Sequence, residues 1–76
     1  MSRITPQAHI NIGYKTKYEF FKTYQELKKQ IPNLFVKYGV KSILVLRSRR
    51  GEWGEWFERW EMDYRAKPTI IKSGWS

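Results

Sequence analysis

Three arginines, Arg47, Arg49 and Arg50, run directly into Gly51, Trp53 and Trp56. Guanidinium forks bind phosphate, or the edge of a guanine, at two points at once. An indole carried on a loop stacks on an unpaired base. A hairpin tip built from these residues is suited to a nucleic-acid groove or to clamping a single strand. Lys22 and Lys29 add to the pattern, being seven residues apart and so on one face of any helix that holds both. Flexible ammonium groups at such spacing meet phosphates without reading sequence. The expected nucleic-acid contacts are therefore Lys22, Lys29, Arg47, Arg49, Arg50 and Trp53. Two features oppose this reading. Glu52, Glu55 and Glu58 lie beside the arginines and can neutralise them within the fold, and lysines on a small domain are commonly a solvated helix face.

Catalytic chemistry has far fewer candidates. There is no cysteine and one histidine, which excludes disulfides, thiolate zinc sites, cysteine nucleophiles and paired-histidine chemistry. His9 has no acid near it in sequence. Gly51-Glu52-Trp53-Gly54 lacks the spacing and the Lys-Ser/Thr of a phosphate loop and reads as a turn. Glu55, Glu58 and Glu61 recur without any mark of an acid–base pair. The expectation is no catalytic set, no metal and no cofactor.

The whole chain bounds these readings. Its 76 residues make one domain, 1–76, too small for a dinucleotide-binding fold or a barrel. The net charge is +8, and it is unevenly placed. Residues 1–50 hold eleven Lys and Arg against two acids, whereas residues 51–76 hold four against five. Such a field raises the local concentration of polyanions. Aromatics at 17% exclude a disordered tail. The longest apolar run, Ile43-Leu44-Val45-Leu46, is far short of a membrane span, and residues 1–6 lack the apolar core of an export signal. A cytoplasmic protein with no membrane contact is expected.

The elements that must position the basic and aromatic residues follow from periodicity. Residues 7–13 alternate weakly, with Ala8, Ile10 and Ile12 on one side, and suggest a short strand. Thr16-Lys17-Tyr18-Glu19 has the form of a capping box, and behind it Phe20, Tyr24, Leu27 and Ile31 fall on one helical stripe. Pro32 should end that helix or start another over residues 33–38, with Gly39 just past its end. Residues 42–49 are the clearest strand. Residues 53–64 fit either period, with Trp53, Trp56, Phe57, Trp60 and Tyr64 at helical spacing. Pairing favours a strand. A hairpin closed through the loop 51–54 sets Ile43 against Met62, Val45 against Trp60, Arg47 against Glu58 and Arg49 against Trp56. Residues 69–72 give a last strand behind Pro68, suited to a sheet edge. The fold class is α+β, in the order β-α-(α)-β-β-β, an antiparallel sheet with a central β-hairpin packed on one main helix.

The hairpin is apolar on both faces, and one helix covers only one of them. Leu44, Leu46, Trp56, Phe57 and Arg59 are therefore candidates for contact with a protein partner, a second copy of the chain or stacked bases. The alternative is that the N-terminal segment or Trp75 folds over the free face. Three functions follow. The first is a small basic accessory protein binding DNA or RNA. The second is a protein-interaction module, such as a small inhibitor or adaptor of a phage or plasmid. The third is a small ribonuclease, because the element order is similar to that of the mRNA-cleaving toxins of toxin–antitoxin pairs. That likeness is one of order alone, and it would assign Arg47 or Arg49 to a phosphorane and His9 or Tyr64 as acid.

Overall fold

The computed structural model describes residues 5–49 and 54–75. Arg50 and Trp53, and the turn expected at 51–54 apart from Gly54, lie outside the described residues. Five strands and one helix follow in the order β1 (Gln7–Asn11), β2 (Thr16–Phe20), α1 (Tyr24–Tyr38), β3 (Ser42–Arg47), β4 (Trp56–Met62) and β5 (Pro68–Trp75). They form one antiparallel sheet, β2-β1-β3-β4-β5, with α1 on one face. The α+β class is thus observed, with the β3–β4 hairpin central and β5 at an edge.

The second strand was not expected. The capping pattern at Thr16–Glu19 lies in β2, paired to β1 with Tyr18 opposite His9 and Phe20 opposite Gln7. Gly13 adopts φ 101° and the Asn11 carboxamide accepts its N–H at 2.9 Å, which reverses the chain before the helix can begin. Aromatic residues alternating with polar ones suit a strand. The helix starts at a second Thr-x-x-Glu sequence, where Thr23 Oγ1 accepts the Glu26 N–H at 3.2 Å and Glu26 Oε2 accepts from the Lys22 N–H at 3.3 Å. Phe20 accordingly leaves the helical stripe, and Lys22 stands outside the helix that carries Lys29.

The helix also runs through Pro32, so residues 33–38 are its last turns and not a second helix. An internal proline costs about 3 kcal/mol. Leu34 and Phe35, both buried beyond it, return about 3–6 kcal/mol by area. They extend the core stripe of Leu27 and Ile31 against Ala8, Ile10, Ile43, Val45 and Trp60. Gly39 ends the helix at φ 63°, its N–H bonded to the Phe35 carbonyl, as its position in sequence suggests.

The β3–β4 register differs from the expected one by two residues. Ile43 faces Trp60, Val45 faces Glu58 and Arg47 faces Trp56. A shift of two keeps every side chain on its face. The register sets Glu58 opposite buried Val45, where five donors reach it. Arg47–Glu58 and Arg49–Trp56 survive as diagonal contacts. Pro32 is exposed, so Pro32→Ala restores a helical donor without touching the core. The variant should be more stable by about 2 kcal/mol, read as a raised urea midpoint at unchanged m-value.

Candidate functional site

The expected arginine cluster divides into two structural assemblies. Arg47 is the partner of Glu58, a carboxylate that is only 3% exposed. Its Nε and Nη2 both donate to Glu58 Oε2 at 3.3 Å, and Trp56 Nε1 donates to the same oxygen at 3.2 Å. The other oxygen accepts from Tyr24 Oη at 2.5 Å and from Trp60 Nε1 at 3.3 Å. The Arg47 guanidinium lies over the Tyr24 ring, 3.9 Å from its centre. A buried carboxylate is tolerable only when its lone pairs are filled, and here all are filled by donors of this chain. Arg47 therefore has its guanidinium edge turned to Glu58 and not to a phosphate.

Arg49 stacks over the Trp56 ring at 4.4 Å, with Trp75 at 5.8 Å. Trp75 meets Trp56 edge to face at 5.0 Å. It extends the helix side of the sheet along β5 and does not fold over the other face, because its strand partner Trp56 shares the Glu58 side. Trp56 for the same reason does not join the expected interface residues Leu44, Leu46, Phe57 and Arg59, which share the opposite face.

That opposite face is organised in two cross-strand rows. One runs Phe20, Gln7, Leu46, Phe57, Gly74, and the other runs Tyr18, His9, Leu44, Arg59, Lys72. Among the described residues no helix or further strand lies over it. Phe20 is 63% exposed and Tyr18 54%. The His9 ring stands edge-on to Tyr18 at 4.7 Å and is bonded to Gln7 Oε1 at 2.7 Å. Burial lowers the His9 pKa, the charge of Glu55 opposing it more weakly, so the ring is neutral near pH 7. At the other end Arg59 and Lys72 face each other across β4 and β5, and among the described residues neither makes an ion pair. Lys29 lies elsewhere, on the exposed side of α1.

None of Tyr18, Phe20, His9 and Lys72 was expected as a contact on this face: Phe20 was placed on the helical stripe, Tyr18 in the capping pattern, and His9 was considered only as an acid. The signal was the two-residue spacing of Thr16, Tyr18 and Phe20 behind the Gly13 turn, which the capping pattern masked. Among the described residues no group of three His, Asp or Glu is placed to hold a metal ion, and no helix is long and apolar enough to cross a membrane. No family model, curated protein or solved structure matches the chain.

Two predictions concern the carboxylate. Glu58→Gln removes the charge that Arg47 balances and turns a donor toward neighbouring donors, and should cost about 3 kcal/mol in urea unfolding. Burial first, then the hydrogen bond to Glu58, raises the Tyr24 pKa above the ordinary tyrosine value. A raised pKa gives stability that is complete below the unfolded value of about 10 and declines as pH climbs past it. Between about pH 9 and about pH 11, Tyr24→Phe should therefore lose less stability than the parent chain.

Proposed function

We propose that this protein is a small basic nucleic-acid-binding module whose contact surface is the uncovered sheet face. The observation that supports the reading is the Arg59–Lys72 pair. Like charges directly opposite across a sheet are destabilising. Here they face each other on an open surface with no ion-pair partner among the described residues. A phosphate oxygen between them would remove the repulsion and use both cations. The net charge of +8 would speed the encounter. Phosphate contact thus moves from the arginines expected at the hairpin tip to the far strands of the sheet.

A protein-interaction role is the second reading. It is favoured by Leu44, Leu46 and Phe57, which form a continuous apolar strip between the aromatic and the cationic ends. Salt separates the two. Fluorescence anisotropy of labelled DNA and RNA oligonucleotides at low and physiological salt should give micromolar binding that weakens steeply as salt rises. Arg59→Ala and Lys72→Ala, both at exposed positions, should each weaken binding and lower the slope of log K against log salt by about one. No binding at low salt would remove the nucleic-acid reading and leave the apolar strip as a protein contact.

A further inference from the structure

We infer that the ligand of this face is single-stranded nucleic acid, laid across the strands with unpaired bases on Tyr18 and Phe20 and phosphates on Arg59 and Lys72. The inference rests on the nucleic-acid reading and adds the form of the strand.

Four observations point to it. Tyr18 and Phe20 are two residues apart on edge strand β2, so their rings emerge on one face about 7 Å from each other. Exposed π-faces of this kind stack on bases, and only an unpaired base has a face to offer. Tyr18 is held upright by the edge of His9, which Gln7 fixes in turn, so little ordering is left for binding. The platform is also too broad to enter the major groove of a duplex. Four strand spacings make it about 19 Å across, whereas the major groove of DNA is about 12 Å wide. It is flat at its cationic end, where Gly74 has no side chain and the Phe57 ring lies so close that a Cβ there would stand 3.4 Å from it.

The polarity of the rows gives the path. Aromatics occupy the β2 end and cations the β4–β5 end, so a strand crossing the sheet perpendicular to its strands meets stacking first and charge last. Within the strands described, Glu61 lies on this face in a separate polar row with Ser42 and Thr69, off that path.

The test is anisotropy with a labelled oligonucleotide of about 12 nucleotides, as a single strand and as its duplex, in deoxy and ribo forms. The single strand should bind at least about tenfold tighter than the duplex. Tyr18→Ala and Phe20→Ala should each weaken single-strand binding by about five- to 100-fold, while Tyr18→Phe retains it. Both residues are exposed, and an unchanged urea midpoint would show that the variants fold. Equal or tighter duplex binding would overturn the inference but leave nucleic-acid binding standing, and would turn attention to Lys28 and Lys29 on the exposed side of α1. Single-strand binding indifferent to both alanine variants would overturn it as well. Binding to neither form would remove the nucleic-acid reading itself.

Discussion

One buried carboxylate ties the two layers of this protein together. Glu58 sits in the central hairpin and is met by Tyr24 from the first turn of the helix, by Arg47 from β3 and by two indoles of its own strand. Each of these donors would be costly to bury alone, and so would the carboxylate. Together they satisfy one another, and the Tyr24 ring gives the guanidinium an aromatic floor. The direction in which α1 enters, the β3–β4 register and the rotamers of Trp56 and Trp60 are all fixed by the same pair of oxygens. A polar network of this kind specifies one arrangement where an apolar patch would accept several.

The same arrangement divides the labour of the charged residues. An arginine locked to a carboxylate contributes to the fold and little to a surface field. Arg47 is such a residue, and Arg49 is partly withdrawn by its stack on Trp56. The cations left open are those that, among the described residues, make no ion pair. Arg59 and Lys72 are of this type, and they lie opposite the helix, where the sheet presents aromatics and, among the described residues, no helix or further strand covers it.

Much of the fold was legible in the sequence. Strand β3 follows from its β-branched centre, and β4 from the pairings it makes with β3. The helical end at Gly39 follows from the left-handed geometry only glycine adopts easily. Two local signals misled for definite reasons. Thr16–Glu19 and Thr23–Glu26 carry the same capping letters, and only the reversal at Gly13 decides between them. Pro32 is an obstacle whose local cost is outweighed by the burial of Leu34 and Phe35 just beyond it, and that burial comes from the strands they pack against, which no local window of sequence contains. The candidate site was legible in kind but not in place. Basic and aromatic residues were expected together, yet the ones that share an open face come from β2, β1, β4 and β5, and the missed β2 hid the two aromatics Tyr18 and Phe20. The parity of the hairpin faces survived because its register slipped by two and not by one.

The strand order has a kinetic consequence. β1–β2, β3–β4 and β4–β5 are each closed by a short or moderate connection. Only β1 with β3 joins strands distant in the chain, and the segment it closes contains both β2 and the helix. Hairpins and a helix form within microseconds, so the entropy of that single closure is the main barrier to folding. A helix is 1.5 Å per residue, against up to about 3.5 Å for extended chain, so its formation shortens the span to be closed. α1 is thus the scaffold under which the two halves of the sheet find each other as well as the cover of its core.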